Sequence, residues 1–315
     1  MSVLIAATLT PDFRTGPASA KTLDGQADFV LVPEGSDGLD GFEFASWLGS
    51  LTTRLGFVPE VRAADLEPLP AATAAAKLDR ETRTRAGLAI GFSSDAAAAA
   101  HFVRGEPRPA AAWAQTGAII DVIRGLWDSW GAETIIRDSA TGCCADHERL
   151  NRIGRQPQDS AGPDHSTLRS STPSRPPQGH PPIIVMAEPG NEAARAAADI
   201  VLVDETAGEV SLEILRSELD PTVVVLTVLP APRTRAEVAE FVGSVWILTG
   251  RGASGALLTA PADEQLELSV RLVTEIIPAL QAAGLRESPA QSVPTRSDLR
   301  TRLGLESAET LCAQA

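Results

Sequence analysis

Eight short apolar runs, separated by helical or polar segments, constrain the fold of this chain more than any other feature of its sequence. The runs are apolar at nearly every position, which is typical of parallel strands that are covered on both faces. Eight strand-helix units of this kind predict a TIM (β/α)8 barrel, with a doubly wound open sheet as the second interpretation. The runs lie at residues 3–9, 28–32, 54–61, 88–92, 182–187, 199–203, 222–229 and 255–259.

The composition is that of an acidic globular protein. Of the 315 residues, 43% are hydrophobic and 22% are charged, and the net charge at pH 7 is −14. This charge argues against nucleic acid and anionic membranes as partners, because both attract basic surfaces. We see no signal peptide and no apolar run of membrane-spanning length, so we expect a cytoplasmic protein. The cysteines and histidines form no metal-binding pattern, so we expect no metal.

The segments between the runs predict the helices and one long interruption. Apolar residues at helical spacing predict amphipathic helices over 110–130 and 266–280, and Thr234 begins a capping-box pattern. Between 131 and 182 the periodicity is lost and Ser, Pro, Gly, Arg and Asp are frequent. We expect a mobile excursion there, lying over the mouth of the barrel, and a single barrel domain over 1–315.

Polar residues follow several runs at the end where α/β proteins usually place their chemistry. Ser93 and Ser94 follow the fourth run and either cap the next helix or contact a ligand. Glu34 and Glu60 end the second and third runs, and we interpret both as solvated carboxylates. Asp204 follows the sixth run and either holds a substrate cation or caps a helix.

Four stretches, in this order, resemble one family. They are AAKLDRETRTRAGLAIGFSS at 75–94, IRGLWDSW at 123–130, RPPQGHPP at 175–182 and DLRTRLGL at 298–305. The chain is similar in these stretches to the bacterial luciferase-like flavin-dependent monooxygenases. The branch it most resembles is that of nitrilotriacetate monooxygenase and dibenzothiophene-sulfone monooxygenase.

The resemblance implies a TIM barrel that binds reduced FMN at the carboxyl ends of its strands. It also implies a homodimer, a separate flavin reductase that supplies the FMN, and transfer of one oxygen atom from O2 to a small organic substrate. A deazaflavin is the less favoured cofactor, and no catalytic side chain is assigned. The residues placed at the flavin are Ala89, Ser93, Ser94, Ala187, Glu188, Gly190 and Asn191.

Two of these positions depart from the pattern of the family. Ala89 stands where the family usually has an asparagine that hydrogen-bonds the flavin ring. Glu188 stands in the phosphate loop, where an anion should lie, although Gly190 and Asn191 keep a loop at a helix start that suits a phosphate. A second interpretation is therefore a barrel that has lost flavin and serves as a binding or assembly partner.

Overall fold

Eight parallel strands close into a barrel in chain order, so that the last strand pairs with the first. The computed structural model describes residues 2–34, 39–62, 66–91, 110–129, 175–204, 210–287 and 297–308. The closed sheet confirms the predicted TIM barrel, and the open-sheet interpretation is wrong. That all of 1–315 forms one domain stays a prediction. The strands are β1 (Leu4–Thr8), β2 (Phe29–Val32), β3 (Gly56–Val61), β4 (Leu88–Ile90), β5 (Ile183–Met186), β6 (Ile200–Val203), β7 (Val224–Pro230) and β8 (Gly255–Thr259).

Helices follow the strands and cover the outside of the barrel. The outward strand residues pack against them in two apolar clusters, and the inward residues form a third cluster inside the barrel. The helices are α1 (Gly16–Leu23), α2 (Gly41–Ser50), α3 (Pro68–Glu81), α4 (Ala110–Asp128), α5 (Glu192–Ala197), α6 (Leu212–Glu218), α7 (Arg235–Gly250), α8 (Gln265–Arg271), α9 (Ile277–Ala282) and α10 (Leu299–Arg302).

Two of the predicted helices form with the expected signals. The Thr234 hydroxyl accepts from the N–H of Glu237 at 3.3 Å, and the Glu237 carboxylate accepts from the N–H of Arg233 at 2.6 Å. In α4 the indole N–H of Trp127 donates to the Ala72 carbonyl of α3 at 3.0 Å, so this buried tryptophan is a packing residue, as its helical spacing indicates.

The last predicted helix, over 266–280, is interrupted. A π-helical turn at Leu272–Ile276 separates α8 from α9, and Pro278 lies in the first turn of α9. Proline has no N–H to donate to the preceding turn, and a π-turn is one of the usual ways a helix accommodates the missing bond. The apolar stripe indicates the buried face correctly and does not reveal this break.

The N-terminal end of the barrel is closed by α10. Leu299, Leu303 and Leu305 belong to the apolar cluster inside the barrel. Gly56 makes room for them, because a Cβ on it would meet the Leu299 Cδ1 atom at 2.7 Å and the Phe29 Cβ atom at 2.9 Å. A side chain at position 56 would therefore displace the helix that fills the base.

A buried ion cluster fixes α10 to the start of β6. Asp199 accepts from the Arg300 guanidinium at 2.8 Å and lies 3.1 Å from the Arg124 guanidinium, and its Oδ2 also accepts from the N–H of Ile183 at 2.9 Å. Burial raises the pKa of Asp199, but the two arginines and the hydrogen bonds outweigh it and hold the pKa below its ordinary value. The cluster joins α4, α10, β5 and β6.

The position predicted for the end of the excursion is wrong. Residues 175–182 run along the N-terminal end of the barrel, not over its mouth, and Gln178 and His180 are buried there. Gln178 donates through its N–H and its side-chain amide to Asp79 at 3.0 and 2.6 Å, and the Arg300 N–H donates to its amide oxygen. Gln178 can enter the core because its polar atoms find partners, whereas the Nδ1 atom of His180 has none among the described residues. Residues 130–174 lie outside the described residues.

Asp199→Asn tests the ion cluster. The amide cannot neutralise the two buried guanidinium groups, so we expect the free energy of unfolding to fall by about 3–5 kcal/mol. Chemical denaturation followed by circular dichroism measures it. Asp220→Asn, at an exposed turn, is the control and should leave the midpoint nearly unchanged. Equal midpoints for the two variants would contradict the assigned role.

Asp79 predicts a pH effect. Burial raises the pKa of the Asp79 carboxyl from 3.8 to about 6. The hydrogen bonds from Gln178 lower this pKa but do not outweigh the effect of burial. The folded state therefore binds this proton more tightly than the unfolded state, so the stability it contributes is present at low pH and is lost as pH rises through 6. Relative to Asp79→Asn, the wild type should gain about 1 kcal/mol between pH 7 and pH 5. Urea denaturation at both pH values measures this difference, and a constant difference would contradict it.

Candidate functional site

The strand register defines layers of side chains inside the barrel. Strands in such a barrel are tilted against the barrel axis. A line that joins residues at equal height along this axis therefore moves one residue toward the carboxyl end at each step to the next strand. Starting from Thr8, the line returns to Thr8 after eight strands. It passes through Val32, Glu60, Ile90, Met186, Val203, Val228 and Leu258.

Four of these residues point inward and form the uppermost layer, which we call the floor of the mouth. They are Thr8, Glu60, Met186 and Val228. Val228 belongs to the interior cluster itself. The other three lie two residues after Ala6, Val58 and Ile184, which also belong to that cluster. Successive strand residues point to opposite faces, so residues two apart share the inward face. The floor therefore has one polar half and one apolar half.

The polar half holds two buried oxygen groups. Thr8 is 2% exposed, and among the described residues its hydroxyl has no hydrogen-bond partner. Glu60 is 8% exposed, so our interpretation of it as a solvated carboxylate is wrong. Its strand position explains the burial, because Glu60 points inward like Val58. Glu34 is exposed and lies 3.1 Å from the Arg62 guanidinium, as expected for a solvated carboxylate.

The layer below the floor is entirely apolar and closes the barrel beneath it. One register step lower, the inward residues are Leu31, Ala89, Leu202 and Leu257, and all four are fully buried. Ala89 therefore lies beneath the floor, and its contact with a flavin stays a prediction. Gly91 follows on the same strand with a φ of 77°, so β4 ends without a side chain above the floor.

The predicted phosphate loop follows β5 and satisfies its own polar groups. Asn191 donates from its side-chain amide to the Met186 carbonyl at 2.6 Å and accepts from the N–H of Glu188 at 3.1 Å. The Gly190 N–H donates to the Glu192 carboxylate at 3.3 Å. Ala187 points outward into the cluster that packs against the helices. The loop thus brings Glu188, Gly190 and Asn191 together at the mouth and turns Ala187 away from it.

The carboxylate of Glu192 is hydrogen-bonded to this loop. Hydrogen bonds from the backbone N–H groups of Glu192 and Gly190 hold the pKa of this carboxyl below its ordinary value. Space remains beside the loop, because a Cβ on Gly190 would meet no atom within 4 Å. The helix that follows, α5, has only 6 residues. A phosphate would compete here with the Glu192 carboxylate for the Gly190 N–H. The dipole of so short a helix would stabilise it only a little.

Several predicted residues lie outside the part of the chain that the structure describes. They include Ser93 and Ser94, so their contact with a ligand stays a prediction. Asp204 is described and half-buried, at the end of β6. Within the described ranges, no group of three or more His, Cys, Asp or Glu side chains is placed to bind a metal ion together. No helix among these residues has the length and apolarity of a membrane span.

A family model covers most of the barrel. The model, described as luciferase-like monooxygenase, matches residues 24–220. The chain belongs to the luciferase-like monooxygenase family. This confirms the resemblance stated above, including its branch, because a nitrilotriacetate monooxygenase component is among the relatives.

Two curated relatives show how much of a family member this chain matches. A subunit of pristinamycin IIA synthase from Streptomyces pristinaespiralis is 30% identical over 188 residues, which are 59% of this chain and 57% of that protein. Nitrilotriacetate monooxygenase component A from Aminobacter aminovorans is 31% identical over 191 residues, 58% of this chain and 40% of that protein. The chain therefore matches about half of the length of these relatives.

Solved structures of other proteins share the fold. A riboflavin lyase crystallised with modified FMN and riboflavin superposes with a TM-score of 0.70 at 17% identity, covering 98% of this chain and 97% of that one. DmoA from Hyphomicrobium sulfonivorans gives 0.70 at 14% identity, covering 96% and 92%. At such low identity these likenesses establish the barrel and nothing about the ligand.

Asn191→Ala tests the self-contained loop. The substitution leaves the Met186 carbonyl and the Glu188 N–H without their partners, so we expect the free energy of unfolding to fall by about 1–3 kcal/mol. Thermal and urea denaturation measure it. Ser217→Ala, which removes an exposed hydroxyl that donates to the Ile214 carbonyl, is the matched control. A loss no larger than that of the control would mean that water replaces Asn191 without cost.

Proposed function

We propose that this chain is an FMN-dependent monooxygenase. It would take reduced flavin from a separate reductase and use O2 to place one oxygen atom in a small organic substrate. The observation that carries the proposal is the floor of the mouth at the carboxyl end of a family barrel. It holds a buried carboxylate and a hydroxyl that has no hydrogen-bond partner within the described ranges. Barrels of this kind place their chemistry at that end.

On the side of the mouth at β4 and β5, Met186 is half-buried and Gly91 carries no side chain. The flat ring of a flavin would lie there, over Met186, with Ala89 beneath it. The open space beside Gly190 would receive the phosphate once the Glu192 carboxylate moves from the Gly190 N–H.

Bound reduced flavin supplies the reaction with O2, and the protein supplies binding, orientation and a dry cavity. The apolar layer under the floor blocks water from below. Thr8 and Glu60 offer polar contacts at the floor, and Glu60 lies next to the strand that carries Gly91, because β3 pairs with β4. These residues can orient a substrate, and a low-dielectric site strengthens each such contact.

The partners are part of the proposal. One relative is named as a component of a monooxygenase and another as a subunit of a synthase, which supports a protein that works with a second polypeptide. We infer a separate reductase, a homodimer of this chain and a cytoplasmic location. A tetrahydromethanopterin reductase dependent on coenzyme F420 shares the fold with a TM-score of 0.53, so a deazaflavin is the second cofactor to test.

A barrel without flavin is the second candidate function. It is favoured by the loop after β5, where Asn191 and Glu192 occupy the N–H groups that a phosphate would need and Glu188 adds a negative charge. Titration of the protein with oxidised FMN, photoreduced FMN and the deazaflavin F420 separates the possibilities. Micromolar binding of FMN supports the monooxygenase. Binding of F420 without binding of FMN would make the deazaflavin the cofactor. No binding of either at high micromolar concentrations supports the barrel without flavin.

Glu188→Gln and Glu192→Gln should both tighten FMN binding. Each removes a negative charge beside the place proposed for the phosphate, so we expect about threefold tighter binding or more at low salt and a smaller gain at high salt. Fluorescence titration measures the dissociation constants. Glu240→Gln, on the exposed face of α7, is the control for net charge.

The pair of variants also locates the phosphate. Tightening in Glu192→Gln alone would place it at the Gly190 N–H, with Glu188 turned away. Dissociation constants unchanged in both variants at low ionic strength would remove the phosphate from this loop.

A further inference from the structure

The outward face of α7 lacks the charge that a surface helix usually carries. Exposed residues at helical spacing form a line along this face, which we call the outer stripe. They are Ala239, Glu240, Gly243, Trp246, Ile247 and Gly250. Glu240 is the one charged residue of the stripe, although charged and polar residues normally cover the face that a helix turns to water. The composition of the stripe is that of a face covered by another protein surface.

Two large apolar side chains dominate the outer stripe. Trp246 is 67% exposed and Ile247 is 55% exposed. The opposite face of α7 already packs into the barrel through Val238, Phe241 and Val245. The helix is therefore apolar on both sides, and a helix of this kind is normally buried on both sides. The fold of one chain buries the inner side only.

Two glycines lie in the stripe beside these large side chains. Glycine destabilises a helix relative to alanine, and neither Gly243 nor Gly250 has a positive φ that would require it. A Cβ atom on either one would meet no atom within 4 Å, so no contact in the described part of the chain explains them. Small residues let the axis of a second helix come closer. A packed helix would give both glycines a reason.

The outer stripe is complementary to a second copy of itself. In a twofold dimer the same patch meets itself across the symmetry axis. Two antiparallel α7 helices with the axis near Trp246 bring the two Trp246 rings together, and Ile247 of each copy then lies over Gly243 of the other. Glu240 and Arg251 are about three turns apart on one side of the helix, so this arrangement also places Glu240 of one copy near Arg251 of the other.

The charges and the area of the stripe also favour a second copy. Two chains that each carry a net charge of −14 repel least where their surfaces carry little charge. At the end of α7, Arg251 donates to Glu213 of α6 at 2.5 and 2.6 Å, so this pair adds no net charge. Trp246, Ile247 and the exposed Ile214 of α6 together offer roughly 400 Å² on each copy, about half of one partner's share of a standard interface. This area suits a dimer of micromolar affinity.

We propose that the outer stripe of α7 binds the outer stripe of a second copy of this chain, with the two helices antiparallel. The inference locates the homodimer inferred above and rests on that part of the proposed function. It does not depend on flavin, because α7 lies on the outside of the barrel and the flavin is placed at the mouth.

Light scattering of the full chain over a concentration series tests the interface. The wild type should form a dimer with a micromolar dissociation constant. Trp246→Glu removes the central aromatic contact and places two carboxylates at the axis, so it should raise this constant about thirtyfold or more. Trp47→Glu, at a tryptophan of α2 that is 38% exposed, is the matched control and should leave the constant unchanged. Circular dichroism checks that both variants are folded.

Gly243→Gln separates the contact between copies from the stability of the helix. Glutamine forms helices better than glycine, and its side chain would hold two α7 helices apart. The variant should therefore weaken the dimer about tenfold or more. Added to the monomeric Trp246→Glu variant, it should leave the Tm equal or higher, since dimerisation no longer contributes to the Tm there. Ala18→Gln, at an exposed position of α1, is the control and should not change the dimer.

The outcomes separate this inference from the proposed function. A wild type that stays monomeric up to about 100 µM overturns the interface. A dimer that survives both Trp246→Glu and Gly243→Gln overturns it as well and leaves the homodimer standing on another surface. Titration with FMN is read independently. A dimer that dissociates in Trp246→Glu and binds no FMN supports the interface and rejects the flavin enzyme, and a monomer that binds FMN rejects the interface alone.

Discussion

Closure of eight parallel strands into one hydrogen-bonded ring is the constraint on which the rest of the structure depends. Once the register is fixed around the ring, every inward side chain is assigned to a layer, and a shift of one residue would exchange the inside and the outside of a strand. Glu60 points into the barrel because it lies two residues after Val58 on β3. The position of a polar group along its strand, more than its chemistry, decides whether it meets water.

The two ends of the barrel differ in how their buried polar groups are paired. At the N-terminal end, Asp199 lies between two arginines and Gln178 bonds both Asp79 and Arg300. Individual nitrogen atoms of Arg124, His180 and Arg302 nevertheless lack a hydrogen-bond partner there among the described residues. At the carboxyl end, a hydroxyl is buried without a partner among the described residues. Polar clusters whose hydrogen bonds are all made rigidify a structure. A buried polar group without a partner destabilises it, and a ligand that supplies the missing hydrogen bond removes this destabilisation. The division matches the usual separation of stability and chemistry in barrels.

The fold could be predicted from the sequence because its signals are local. Continuous apolar runs give the strands, and the pattern from Thr234 to Glu237 gives a helix start. The site could be predicted only in part. Thr8 was missed as a site residue because its place in the floor follows from the register of β1 against its two neighbouring strands. A signal was present, since inward and outward positions alternate along a strand and Thr8 is a hydroxyl at an inward position of an apolar run. The hydrogen bonds of Asn191 depend on the loop conformation, which no spacing reveals.

The helix that fills the base of the barrel has a consequence for how the chain folds. Residues of α10 lie far along the sequence from β1, β2 and β3, yet Leu299 fills the space beside Gly56 and its N–H donates to the Thr84 carbonyl. During synthesis, which proceeds from the N-terminus, the strands emerge from the ribosome before their plug does. Until then the underside of the barrel exposes Phe29 and its apolar neighbours to water and to other chains. The barrel is therefore most vulnerable to aggregation in the interval after its strands have emerged and before α10 has followed them.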